Sequence, residues 1–214
     1  MIRTQIIILA GGQGKRMGSE LPKVLVPLNG KPLVSYLLEA IDRSGVCEKP
    51  AIVIGNQAEK VRETLGSQYQ YIYQSERLGT GHAVKICKDA LAGTSENVLV
   101  LYGDHPFVSS DIIQKLEKAH CVAQSTLTLM TVAVSDFNDW QKSFYSFGRI
   151  IRGAQGVIQS IIELKDANEE QKKIQELNPS FFCFQANWLW ENIEKLTNNN
   201  AQKEYYLTDL LGMA

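Results

Sequence analysis

Two cations stand just behind a glycine-rich turn near the start of the chain, in Leu9-Ala10-Gly11-Gly12-Gln13-Gly14-Lys15-Arg16-Met17 followed by Leu21-Pro22-Lys23-Val24-Leu25. Gly11, Gly12 and Gly14 let backbone N–H groups approach a phosphate with no Cβ in the way. Arg16 can grip phosphate oxygens through two parallel hydrogen bonds, and Lys23 can act as a movable point charge on the same group. The plain alternative is a turn that only reverses the chain, but a turn needs no cations, and a polyphosphate does. The stretch is not a dinucleotide fingerprint, because Met17 replaces the third glycine and the second strand ends in Gly55-Asn56 rather than an acidic residue. Nor is it a Walker loop, since residues 11–19 contain no Gly-x-x-x-x-Gly-Lys-Ser/Thr.

Such residues work only if rigid elements aim them. Gln5-Ile6-Ile7-Ile8-Leu9 is a continuous apolar run that reads as a strand buried on both faces, and the glycines begin where it ends. In an open α/β sheet that carboxyl edge is where ligands bind. Strand-like and helix-like segments then alternate to about residue 120: helix from 33 to 41, strand 51–54, helix 58–65, strand 69–73, helix 82–91, strand 97–102 and a helix from 109 or 110 to 119. Asn29-Gly30 reads as a tight turn, and Gly45 and Gly66 as helix ends. Beyond Ser125 extended runs follow one another, at 126–134, 147–152, 157–163 and 177–184, which predicts antiparallel pairing. The polar run 166–173 reads as a solvated excursion, and helices at 186–196 and 207–213 close the chain. The expected fold is α/β, a Rossmann-like doubly wound mixed sheet with a small antiparallel portion. It forms one domain over 1–214, with 1–120 as the nucleotide-binding portion and 121–214 as the sugar-binding portion.

Composition narrows the ligand. With 214 residues, 44% apolar and 21% charged, and a net charge of -1, the chain gives no electrostatic reason to expect nucleic acid or an anionic membrane. The apolar run after Arg3 is too short for a signal peptide's core, and no stretch of eighteen apolar residues occurs, so a cytoplasmic location is expected. Cys47, Cys87, Cys121 and Cys183 lie far apart with no Cys-x-x-Cys pair and read as reduced and structural. The aromatic group Phe181, Phe182, Phe184, Trp188 and Trp190 reads as core at a strand-to-helix junction, and His120 as a surface residue at a helix end.

The opening motif resembles the signature of sugar-1-phosphate nucleotidylyltransferases. Further blocks are similar to the pyrophosphorylase part of the bacterial bifunctional N-acetylglucosamine-1-phosphate uridylyltransferases: Gln74-Ser75-Glu76-Arg77-Leu78-Gly79-Thr80-Gly81-His82-Ala83, Leu101-Tyr102-Gly103-Asp104-x-Pro106, Gly148-Arg149-Ile150, Ile162-Glu163-x-Lys165-Asp166-Ala167 and the run from Asn199 to Asp209. The resemblance covers essentially the whole chain. It implies a reaction of UTP with a sugar 1-phosphate, N-acetylglucosamine 1-phosphate by closest likeness, giving a UDP-sugar and pyrophosphate. By the same likeness the backbone of Leu9, Ala10, Gly11 and Gly12 and the side chain of Gln74 read the uracil, with Gly79 and Thr80 beside it. An amide suits that task, because it offers donor and acceptor together to an imide edge. Tyr102, Gly103 and Asp104 line the phosphates, and Asp104 is the implied ligand of Mg²⁺, a hard cation that takes carboxylate and phosphate oxygens. Gly148, Glu163 and Asn178 match positions that hold the sugar. Arg16 and Lys23 are the implied catalytic cations, with Gly14 in the same loop.

His82 and His105 are not needed as bases, because a sugar phosphate is already an anionic nucleophile at neutral pH. The chain departs from the family at Phe147, where a tyrosine is usual, and at Asn178-Pro179-Ser180, where proline removes a backbone donor. These departures leave the sugar open. A cytidylyl-, guanylyl- or thymidylyltransferase of the same fold is the near alternative. The family's second metal ligand, an asparagine, lies past the Glu204–Asp209 block and beyond Ala214, so an incomplete domain that binds nucleotide-sugars without catalysis is the other.

Overall fold

The computed structural model describes residues 3–12 and 19–214. Strand β1 (Thr4–Leu9) leads to the hairpin β2 (Pro27–Leu28) and β3 (Lys31–Pro32), helix α1 (Leu33–Ser44), β4 (Ala51–Ile54), α2 (Ala58–Leu65) and β5 (Gln70–Tyr73). Two short helices follow, α3 (Thr80–Lys85) and α4 (Lys88–Leu91), then β6 (Asn97–Tyr102) and α5 (Ser110–Ala123). The remaining chain forms β7 (Leu127–Leu129), β8 (Val132–Ala133), β9 (Gly148–Arg152), β10 (Ile158–Ile162), α6 (Glu169–Lys172), β11 (Glu176–Asn178), β12 (Phe182–Gln185) and α7 (Ala186–Asn192).

The main sheet has six strands in the order β5-β4-β1-β6-β12-β7, of which the first four are parallel and β12 runs against both its neighbours. Alternation along β1 explains its unbroken apolar run. Ile6 and Ile8 pack with Leu37, Ile41, Val61 and Ile113 of α1, α2 and α5 on one face, and Ile7 packs with Val84, Leu91 and Leu189 of α3, α4 and α7 on the other. The sheet is thus doubly wound, and chain order reverses between β1 and β6, which opens a crevice at their carboxyl ends. Asn29 and Gly30 take φ of 49° and 80°, the left-handed pair that a two-residue hairpin turn requires. Gly45 ends α1 in the left-handed conformation, φ 67°.

Two of the expected long strands are each two strands in two sheets. In the run 126–134, β7 joins the main sheet and β8 joins a four-stranded antiparallel sheet of order β10-β9-β11-β8. The run 177–184 divides in the same way into β11 and β12. Its break falls at Pro179-Ser180, where proline has no N–H for the ladder and Ser180 has φ 68°. The two crossings are tied together where Met130 N–H donates to the Phe181 carbonyl, 3.2 Å.

Other differences are local. The helix expected at 82–91 begins at Thr80 and breaks at Ile86-Cys87, and residues 207–213 form a 3-10 segment. The excursion at 166–173 holds the short helix α6, closed by an Asn168–Gln171 capping box. His120 is not at the surface. It is 2% exposed, because α5 turns that residue under the sheet, where Nδ1 meets Thr128 Oγ1 at 2.9 Å. Phe181, Phe182, Phe184 and Trp190 are buried as expected, with Trp188 stacked on Phe184, and all four cysteines are free. No described helix is long and apolar enough to cross a membrane.

Candidate active site

Three loops meet at the carboxyl edge because their glycines allow it. Ala10 N–H donates to the Val53 carbonyl at 2.8 Å, and Gly103 N–H donates to the Leu9 carbonyl at 3.0 Å, which sets the ends of β1, β4 and β6 side by side. A Cβ on Gly103 would lie 2.9 Å from Val24 Cγ1, and one on Gly55 would lie 3.0 Å from the Gly11 oxygen. Gly11 is held against Gln74, whose Oε1 lies 3.0 Å from where a Gly11 Cβ would be. Gly12 is exposed with open space around it, and Gly14 and Arg16 lie outside the described residues.

Gln74 follows β5 directly, its N–H donating to the Ile54 carbonyl at 2.8 Å. Gln74 is 6% exposed, so the residue is buried rather than solvated. Its Nε2 is 3.4 Å from the Gly79 carbonyl and 3.1 Å from His82 Nδ1. Gly79 has φ 107°, and a Cβ there would meet the Tyr205 carbonyl oxygen at 2.6 Å. Thr80 opens α3, and its hydroxyl accepts from Leu207 N–H at 3.1 Å.

Across the crevice, the 3-10 turn Lys23–Leu25 is anchored by buried Val24 and Leu25 and presents the Lys23 ammonium to the Asp104 carboxylate as an ion pair. The lysine side chain is 42% exposed and the aspartate 17%, so this pair faces the opening. His105 stacks on Tyr102, with ring centroids 5.7 Å apart, and meets Phe181 edge-on at 5.4 Å. Burial lowers its pKa, the Asp104 charge opposing and Lys23 assisting, so at neutral pH the ring is an uncharged wall. Burial raises the pKa of Tyr102 first of all, with the Glu163 charge adding and the nearby Thr80 and Ser180 hydroxyls opposing.

The antiparallel sheet supplies the far end. Gly148 and Asn178 are direct partners across β9 and β11. Glu163, just past β10, accepts from the Thr208 hydroxyl at 3.2 Å, and its Oε1 would be 3.5 Å from a Gly148 Cβ. Burial is the main force raising the Glu163 pKa, and Asp166, Asp209 and Glu204 add to it, whereas Thr208 opposes it. Asn178 is 3% exposed, and its Oδ1 is taken by Ser180 N–H at 2.9 Å, which leaves the amide NH₂ as the group free of that turn.

The described candidate residues therefore fall into three groups: Gly11 with Gln74, Gly79 and Thr80; Lys23 with Asp104; and Gly148 with Glu163 and Asn178. Tyr102 lies near Thr80 of the first group and near Glu163 of the third. Sequence reasoning missed the roles of His82, Thr208 and the segment 204–207 that packs on Gly79. The signal for the last two was present in Glu204-Tyr205-Tyr206-Leu207-Thr208-Asp209, a block without an assigned task. Among the described residues no three His, Cys, Asp or Glu side chains could hold a metal ion together. Asp104 alone could hold a hard cation only if phosphate oxygens and water supplied the other ligands.

Residues 6–204 match the family described as the MobA-like NTP transferase domain. The chain is 38% identical over 216 residues to the bifunctional protein GlmU of Geotalea daltonii, covering 100% of this chain and 46% of that protein. It is 41% identical over 206 residues to GlmU of Clostridium botulinum, with 96% and 43% covered. The chain thus spans less than half the length of these relatives. A UDP-glucose pyrophosphorylase complexed with UDP-glucose has the same fold, with a TM-score of 0.76 at 20% identity over 100% of this chain and 86% of that one.

Proposed function

The chain belongs to the family of MobA-like NTP transferase domains, and on that premise we propose that it makes a UDP-sugar and pyrophosphate from UTP and a sugar 1-phosphate, with N-acetylglucosamine 1-phosphate as its sugar substrate. The observation that carries this reading is the buried Gln74 amide beside Gly11 on one side of the crevice and the Lys23–Asp104 pair on the other. A pyrimidine base needs a paired donor and acceptor, and a triphosphate needs a cation.

In this reading residues 1–120 carry the nucleotide and 121–214 the sugar within a single unit. The backbone of Leu9 to Gly12, Gln74, Gly79 and Thr80 receive the uracil, and Glu163, Asn178 and Gly148 receive the sugar. Glu163 accepts hydroxyl hydrogens, and Gly148 permits close approach. The sugar phosphate oxygen attacks the α-phosphorus in line; the new P–O bond forms as the bond to the bridging oxygen breaks, and pyrophosphate leaves. The nucleophile arrives ionised, so no side chain takes a proton, and the task of the site is positioning and charge neutralisation. Lys23 exchanges Asp104 for the attacking and α-phosphate oxygens, and Arg16 grips the leaving phosphates. A divalent cation, Mg²⁺ in this proposal, would be held by Asp104 and would supply charge neutralisation between nucleotide and sugar phosphate.

Pyrophosphate release, measured with UTP, CTP, GTP and dTTP against several sugar 1-phosphates in the presence of Mg²⁺, tests the proposal. UTP with N-acetylglucosamine 1-phosphate is the expected best pair. Lys23→Ala should lower kcat by about 10²–10³-fold without altering the melting temperature. Normal turnover in that variant, or binding of UDP-sugar without release from any pair, overturns the proposal.

A further inference from the structure

We propose that His82 is a positioning residue for base selection: its Nδ1 lone pair and the Gly79 carbonyl together hold the Gln74 amide with Oε1 facing the nucleotide loop, so that the site accepts a base carrying an imide N–H. This rests on the reading that a pyrimidine nucleotide occupies the crevice beside Gly11 and Gln74.

The end of an amide side chain can be turned over with little change of shape, and only its neighbours decide which atom points where. Three neighbours do so at Gln74. The Gly79 carbonyl, 3.4 Å from Nε2, can only accept, so it repels an amide oxygen in that place. His82 Nδ1, 3.1 Å from Gln74 Nε2, accepts as well when the ring proton is on Nε2. The third neighbour is Gly11, against which Oε1 lies. In that tautomer the two acceptors behind the amide favour the orientation with Oε1 toward Gly11.

The acceptors are themselves fixed. Gly79 cannot rotate freely, because Tyr205 N–H donates to Leu78 at 2.7 Å and Gly81 N–H donates to Tyr205 at 2.8 Å on either side of it. His82 sits in the first turns of α3, between buried Gly81 and Ala83. Gln74 as a residue is 6% exposed, so a wrong orientation finds little water to compensate it.

The consequence is chemical. An oxygen held toward the base accepts from the N3–H of uracil but meets a lone pair at the same ring position of cytosine, and a turned amide would reverse that preference. Pyrimidine size is equal in the two cases, so orientation rather than volume discriminates.

The test uses the whole chain and compares UTP with CTP, by titration calorimetry and by kcat/KM. In His82→Leu the preference for UTP should fall by about tenfold, the worth of one hydrogen bond, through KM rather than kcat. His82→Asn, which restores an acceptor at the position of Nδ1, should recover most of it. Nitrogen NMR of the wild-type imidazole, free of nucleotide, should show Nδ1 unprotonated and Nε2 bearing the proton. A UTP preference unchanged in His82→Leu, or a proton on Nδ1 of the neutral ring, overturns the assignment to His82. A wild-type chain that binds neither nucleotide overturns instead the reading on which it rests, and the tautomer measurement separates the two failures.

Discussion

Glu163 is a carboxyl group held where a charge is costly. Burial raises its pKa above the ordinary 4.5, with Asp166, Asp209 and Glu204 adding to the effect. The folded state therefore binds the proton more tightly than the unfolded chain does. Its stabilising contribution is complete below 4.5 and is lost as pH rises through the folded value, so ionisation of the side chain weakens the fold. Glutamine keeps the oxygen that accepts from Thr208 and removes the charge. Glu163→Gln is expected to melt no lower than wild type at pH 7, and higher if the carboxylate is ionised there, while KM for the sugar phosphate rises about tenfold and KM for UTP stays unchanged. A lower melting temperature at pH 7 would count against the burial argument, and an unchanged sugar-phosphate KM against the sugar assignment.

At the scale of elements, the Gly79 end of the crevice depends on a segment distant in sequence. Residues 204–207 lie along Gly79–Gly81 through two backbone hydrogen bonds at 2.7 and 2.8 Å, and Leu207 N–H reaches Thr80 Oγ1. The close approach needs glycine: at Gly79 a Cβ would press on the Tyr205 carbonyl at 2.6 Å in a φ of 107°. Gly79→Ala should cost about 1–3 kcal/mol in stability and should raise KM for UTP, because the displaced Gly79 carbonyl no longer faces Gln74. Denaturant unfolding and initial rates check the two effects. Retention of wild-type stability would mean that the strap yields without loss. The crossings at Met130 and Ser180 play the corresponding part at the other end, since each carries the chain from the main sheet to the antiparallel one that holds Gly148 and Asn178.

The whole molecule also carries a record of its burial in its response to acid. His120, under α5 at the edge of the sheet away from the crevice, has its pKa lowered from 6.5 by burial, against the opposing charge of Glu117. His105 is lowered for the same first cause. A histidine kept neutral by the fold contributes stability that is complete above about 6.5 and is lost as pH falls through the folded value, because the unfolded chain then takes up the proton first. The melting temperature should decline as pH drops below that value. His120→Asn, which offers Thr128 a hydrogen-bonding atom where Nδ1 stood, should flatten the decline. An unchanged slope would assign the acid sensitivity to other groups.

Local chemistry made much of this protein legible before its structure. The β1 and β6 runs, the Asn29-Gly30 turn and the termination of α1 at Gly45 follow from periodicity and backbone preference, which act within a few residues. The candidate loops could be placed at one sheet edge because alternating strands and helices leave strand ends together. What folding alone decided involves partners far apart in the chain. No local pattern says that an apolar run such as 126–134 changes sheets midway, since either half satisfies the same alternation and only pairing with β12 and β11 selects the break. Nor could it bury His120, or set a histidine and the Gly79 carbonyl behind Gln74. The sequence determined which groups are present and on which kind of element they stand; tertiary packing set Gln74 against Gly11, Gly79 and His82, because those neighbours are brought up by α3 and held in place by the end of the chain.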